Sequence, residues 1–303
     1  MVKNYSLSFP AKLISIITAI TTIGFCAEGS QIPDNKIAKK GILLVAFGTS
    51  VKSGKKSFEN IDRLTKEKFK NIPIRWAYTS SFIRKKLAKQ GEITYSVREA
   101  LNKMKTDGFT HVAVQSLHIT NGSEFNDMVF ETKHFTEGNN AFQSLVIGEP
   151  LLISYKDLEK FINAVLTSMP NHRETNDAIV LMGHGNRHGI GDMTFTAARD
   201  ELKKRDSNSF LATVEGYPDF NTMKKNLIAS KIKKAYLIPM MIVCGDHAYN
   251  DMAGSDSDSW KSQLEQLNIQ CIPVYKGLGE NNKIVNIFLD HIQTAMTPWN
   301  KEG

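Results

Sequence analysis

Apolar residues in this chain fall into short unbroken runs separated by longer stretches of helical spacing. The runs are Gly41–Phe47 (GILLVAF), Ile74–Tyr78, His111–Ile119 and Phe142–Ile147, then 178–183, 210–215, 235–243 and 270–275. Runs of this length bounded by glycine or polar residues predict buried parallel strands. Between them, Phe58, Ile61, Leu64 and Phe69 place a helix over 55–70, and Val97, Leu101 and Met104 place one over 95–106, ended by Gly108. Further helices are expected at 156–168, 192–205, 219–230, 256–267 and 282–296. Alternating strand and helix predicts the α/β class, with parallel sheets covered by helices on both faces. The polar stretch 171–177 divides the chain into an N-terminal domain, 41–170, and a C-terminal domain, 171–303, each with a sheet of about four strands.

The strand ends carry the chemistry. Ala178–Gly189 reads AIVLMGHGNRHG, so a buried strand delivers His184 between two glycines. The run 210–214 leads into Glu215-Gly216-Tyr217-Pro218, and 235–243 leads into Cys244-Gly245-Asp246-His247. His184 and Glu215 are 31 residues apart, and Glu215 and His247 are 32 apart. Each interval is about one strand–helix–strand repeat of roughly 30 residues. Consecutive parallel strands therefore bring His184, Glu215 and His247 to one edge of one sheet, where open α/β sheets bind ligands. One histidine alone is usually structural, but three candidates on successive strand ends favour a site. Neutral imidazoles suit divalent Co, Fe, Ni or Zn, and a carboxylate adds an oxygen ligand while leaving positions open.

In the first half, Glu124 is expected in the loop NGSEF after the third strand, facing a cleft or merely solvated. His118 follows the apolar part of that same strand. Arg84-Lys85-Lys86 reads as a solvated helix start or a carboxylate clamp, and Gly277-Leu278-Gly279-Glu280 as a plain loop or an anion site. His188 lies four residues after His184, but the flanking glycines argue against a helical metal pair. There is no HExxH, GxSxG or Walker loop, so protease, hydrolase-elbow and ATPase readings have no signal. The halves also resemble each other. Phe47 sets against His184, and pairing 114–128 with 238–252 sets Ser123 against His247, both stretches ending Asn-Asp-Met after an aromatic residue. An internal duplication is expected, with the metal site in the second half only.

The 303 residues are 41% hydrophobic and 23% charged, with a formal charge of +7 and no long basic run. No nucleic-acid partner is expected, and the positive charge reads as a solvated basic surface or as a field that favours an acidic small molecule. Lys3 and Lys12 precede Leu13–Phe25, an uncharged stretch too short for a typical membrane span. Residues 1–27 are expected to be a secretory signal peptide and 28–40 a linker, giving a periplasmic protein without a stable span after processing. Cys244 and Cys271 should be free, because one ends a strand and the other begins the next, at opposite sheet edges.

The segments GILLVAFGTS, IRKKL, HVAVQSLHITNGSEF, LMGHG, VEGYP, IPMMIVCGDHAYNDMA, DSW and GLGEN resemble the anaerobic cobalt chelatase family, the CbiK-type sirohydrochlorin cobaltochelatases, over residues 40–297. The resemblance implies two Rossmann-like domains with a tetrapyrrole in the cleft between them, as in class II chelatases. It implies ATP-independent insertion of Co2+, with Fe2+ as a second candidate metal, into sirohydrochlorin. The pathway would be cobalamin or haem-related tetrapyrrole biosynthesis. His184 and His247 match the family's metal-binding and catalytic histidines, Glu124 an active-site glutamate, and Glu215 a metal ligand of exported members. Gly189 stands where relatives carry a further histidine. Some exported members also bind haem at a subunit interface, so a homo-oligomer and a haem enter as expectations, with no residue assigned to hold it. The alternative is a periplasmic metal- or haem-binding carrier without turnover.

Overall fold

A computed structural model describes residues 38–300. The expected signal peptide, 1–27, and most of the linker lie outside the described residues. Two parallel four-stranded sheets form the framework. The first contains β1 (Lys40–Ala46), β2 (Ile74–Tyr78), β3 (His111–Ser116) and β4 (Ser144–Gly148), in the order β2-β1-β3-β4. The second contains β5 (Ala178–Gly185), β6 (Ser209–Glu215), β7 (Lys234–Pro239) and β8 (Gln270–Pro273), in the order β6-β5-β7-β8. The two orders are the same, and corresponding strands follow in the same sequence. This supports the duplication read from the chain.

Helices α1 (Lys55–Lys68), α2 (Ser81–Ala88), α3 (Val97–Thr106), α4 (Ser123–Lys133) and α5 (Tyr155–Leu166) accompany the first sheet. Helices α6 (Asp192–Arg205), α7 (Phe220–Ala229), α8 (Trp260–Glu265) and α9 (Asn282–Ala295) follow in the second half. Side chains alternate along each strand, so β1 sends Ile42, Leu44 and Ala46 to one core and Leu43 and Val45 to another. The first of these cores is common to both halves. It joins β1 to Ile179 and Leu181 of β5, with Phe161 of α5, Phe195 of α6 and Phe288 of α9. Each such fully buried side chain contributes about 1.5–3 kcal/mol.

Three expectations change. The strand expected to reach Val243 stops at Pro239, which has no N–H to donate to the ladder. Glu124 lies in the first turn of α4 and not in a loop. Helix α9, the end of the second half in sequence, packs on β3, β4, α1 and α5 of the first. Its His291 Nδ1 donates to the carbonyl of Glu149 at 3.0 Å, and just beyond it Trp299 Nε1 donates to Ser144 Oγ at 2.8 Å. Cys244 and Cys271 are free and buried, as expected.

Candidate active site

The centre of the site is the end of β5, the strand flanked by β6 and β7. Ala178 to Met182 are fully buried, and Gly183-His184-Gly185 then meets the cleft. The glycines are steric requirements. A Cβ on Gly183 would stand 2.7 Å from the Phe195 ring, and one on Gly185 only 1.7 Å from the Glu215 carbonyl. Gly185 also has φ +76°, which side-chain-bearing residues rarely adopt. Close approach of β5 to β6 thus leaves His184 exposed on the rim.

His184 Nδ1 lies 3.0 Å from the carbonyl of Gly185. A carbonyl only accepts, so Nδ1 carries the proton and Nε2 keeps its lone pair. His247 stands on the loop after β7, just before the π-helical turn Ala248–Met252. Its Nδ1 is 2.6 Å from Asp251 Oδ2, which likewise leaves Nε2 as the second free donor atom. The two rings meet edge to face, with centroids 4.6 Å apart. Each ring is thus held through Nδ1, the arrangement that orients metal-binding histidines.

Glu215 ends β6, next to Gly185 in the ladder, and lines the same cleft. Its Oε1 accepts from Arg187 Nε at 2.7 Å. Among the described residues, no three His, Cys, Asp or Glu side chains gather around one point. The sequence therefore brings all three candidates to one edge, two of them in contact, with the third turned to an arginine.

The opposite wall comes from the first half. Phe47 follows β1 as His184 ends β5, and with Phe82 it gives the cleft an exposed apolar face. Glu124 and His118 stand on the same wall. Burial pushes His118 down to about 4, and Ser116 Oγ lies 2.9 Å from its Nδ1. Its Nε2 is buried without a partner. The space enclosed is about 470 Å³, within the range of small-molecule sites. Cross-cleft ties hold the walls together: Asn186 Nδ2 donates to Ser123 Oγ at 3.1 Å, and the Ser53 and Tyr249 hydroxyls share a 2.9 Å hydrogen bond.

Other candidates resolve to structural roles. Arg84 Nη1 donates to the carbonyls of Tyr78 and Thr79, closing the end of β2. The backbone N–H groups of Gly277, Leu278, Gly279 and Glu280 are all committed within the protein, which favours the plain-loop reading of that segment. His188 is exposed on the loop before α6. Sequence reasoning missed Asp251 and Arg187. Asp251 had a signal, the four-residue spacing from His247 that one helical turn brings together. No described helix is long and apolar enough to cross a membrane.

The family model described as cobalt chelatase (CbiK) matches residues 40–297. The sirohydrochlorin cobaltochelatase CbiKC of Nitratidesulfovibrio vulgaris is 37% identical over 261 residues, covering 86% of this chain and 92% of that protein. The sirohydrochlorin cobaltochelatase of Salmonella typhimurium is 34% identical over 268 residues, covering 85% of this chain and 97% of that protein. Among solved structures, SirB from Bacillus subtilis with Fe3+ superposes with a TM-score of 0.56 at 14% identity, covering 87% of this chain and 98% of that one. CbiX, described as the terminal enzyme for siroheme biosynthesis in denitrifying bacteria, gives 0.51 at 13% identity, with coverages of 85% and 100%. At those identities the structural likeness concerns the fold alone.

Proposed function

The chain belongs to the cobalt chelatase (CbiK) family, and from that premise we propose how its cleft performs the reaction. The protein is a metal chelatase, a lyase, that inserts Co2+ into sirohydrochlorin. The carrier reading is not favoured beside relatives named as chelatases. Insertion replaces two pyrrole N–H protons with the metal, so the site must hold a cation, bend a macrocycle and accept protons.

His184 and His247 hold the incoming Co2+ through their free Nε2 atoms, with Glu215 as third ligand. The observation that carries this reading is the facing pair of imidazoles, each with Nδ1 already occupied. The tetrapyrrole lies against Phe47 and Phe82, and its peripheral carboxylates are drawn by the net positive charge of the chain. Binding energy spent there distorts the ring until its nitrogen lone pairs face the metal. As the metal leaves, His247 takes a pyrrole proton, its imidazolium steadied by Asp251. Glu124, on the opposite wall, serves the second proton. The reaction needs no ATP, and Fe2+ is a second metal that the same donors accept.

Initial rates of Co2+ insertion, followed by the absorption of the macrocycle, test this reading. His247→Ala should lose about 10²–10⁴-fold, whereas Glu124→Ala, removing one proton route without a metal ligand, should lose about tenfold. Wild-type rates in His247→Ala at both limiting and saturating Co2+ would reject the site. Export to the periplasm with removal of residues 1–27 is proposed on the Lys-flanked apolar run. An intact Met1 in the mass of the protein isolated from cells would contradict it.

A further inference from the structure

The loop between β5 and α6 carries a cation at the mouth of the cleft. Arg187 Nε donates to Glu215 Oε1 at 2.7 Å, and the arginine side chain is 81% exposed. Its backbone has little freedom. Asn186 ties the loop to Ser123 of the first half, and Asn186 Oδ1 accepts from the backbone N–H of His188 at 2.8 Å. The N–H of Gly189 returns to the carbonyl of Asn186 at 3.0 Å. Gly216 packs so closely that a Cβ there would lie 2.6 Å from that same carbonyl. The loop backbone is therefore pinned to both walls, while the guanidinium is exposed and held by Glu215.

Glu215 has two competing partners within this geometry. One is the guanidinium, which it holds now. The other is a divalent cation beside His184 and His247, whose Nε2 atoms face the cleft without a protein partner. We propose that Arg187 is a positioning residue that exchanges carboxylates during turnover. It holds Glu215 until Co2+ arrives, and the cation then takes Glu215. The released guanidinium engages a peripheral carboxylate of the tetrapyrrole. This rests on the reading of His184, Glu215 and His247 as Co2+ ligands. Charge balance drives the exchange, because Co2+ replaces one cation at Glu215 and leaves another, planar and forked for a carboxylate, at the rim. Metal and macrocycle then bind with positive coupling through one side chain.

The test separates the two readings. Co2+ is titrated calorimetrically into the full chain without tetrapyrrole, for wild type, Arg187→Ala, Arg187→Lys, Glu215→Ala and His247→Ala. The KM for sirohydrochlorin is then measured at saturating Co2+. Removing an exposed competing ion pair should tighten Co2+ binding of Arg187→Ala by about two- to fivefold. Its KM should rise about tenfold, the loss of a charge-assisted contact, with kcat little changed. Arg187→Lys should recover part of the KM but not all, since an ammonium lacks the fork. In the double variant Arg187→Ala/Glu215→Ala, Co2+ affinity should match Glu215→Ala alone, because the arginine acts through the carboxylate. If Glu215→Ala and His247→Ala bind Co2+ like wild type, the ligand reading itself fails. If those two weaken while Arg187→Ala shows only one of its two changes, or neither, the exchange is overturned and the ligand reading stands.

Discussion

The two halves share a backbone and differ in what the backbone carries. In the first, Leu117 N–H reaches the carbonyl of Val45 at 2.8 Å; in the second, Met240 N–H reaches that of Met182 at the same distance. Two residues on, each central strand presents a side chain followed by a left-handed glycine: Phe47 then Gly48 at φ +102°, and His184 then Gly185 at φ +76°. The strand end is therefore a platform whose shape does not depend on its cargo. One copy holds an aromatic ring and the other an imidazole, which on the proposed reading receive a flat ligand and a cation. Ser123, at the start of α4 after β3, and His247, after β7, repeat the contrast. On that reading the divergence is what makes the cleft work: two metal-binding walls would leave nothing apolar to receive a macrocycle.

The platform itself can be broken unequally. Gly185→Ala should cost about 3 kcal/mol or more in urea unfolding, since its Cβ would meet the Glu215 carbonyl at 1.7 Å in a left-handed conformation. Gly48→Ala should cost about 1–2 kcal/mol, because there the nearest atoms are side chains of Tyr78 and Ile83 at 3.0 Å and beyond. Equal costs would mean that the second strand end is no tighter than the first.

A pH difference should follow from the first half alone. Burial holds His118 down to about 4, while an unfolded histidine titrates near about 6.5. Between those values the unfolded chain takes up a proton that the folded one refuses, so stability rises with pH across that window. The stabilisation is complete above the unfolded pKa and is lost as pH falls toward 4. Lowering pH from 7 to 5 should therefore cost wild type roughly 2 kcal/mol more than His118→Gln in urea unfolding. An identical pH response in the two proteins would show that this imidazole is not held neutral.

The smallest expected effect separates paired carboxylates. Asp251→Asn should lower the rate of Co2+ insertion about tenfold by loosening His247. This is the low end for a residue supporting a ligand, because the pair is nearly half exposed. Asp127, its counterpart in the first half, has Ser123 where Asp251 has His247, so Asp127→Asn should keep the wild-type rate. A loss shared by both variants would assign Asp251 no special relation to its histidine.

The strand framework was legible because buried parallel strands write themselves as unbroken apolar runs, and their spacing placed His184, Glu215 and His247 on one edge. Helix α4 was not legible. Only Phe125, Met128 and Thr132 of its residues are buried, exposed Phe130 blurs that face, and Gly122 gives no side-chain cap. Helix α2 buries only Ile83 and Leu87, too few for a periodic signal, although Ser80 caps it. The partner of Glu215 was hidden for another reason. Arg187 reaches it only through a loop that folds back at Gly185 and Gly189, both left-handed, and such reversals are not written in hydrophobic periodicity.

The return of α9 to the first half also sets an order of events during synthesis. The core beside β3 and β4 needs Ile284, Phe288 and Ile292, which are synthesised after both sheets. Until then the first sheet has the β3–β4 part of one apolar face uncovered, whatever its own residues favour. At roughly 5–20 residues per second, the second half adds several seconds or more in which that face stays exposed to chaperones and to aggregation. The first half can therefore finish folding only when α9 arrives.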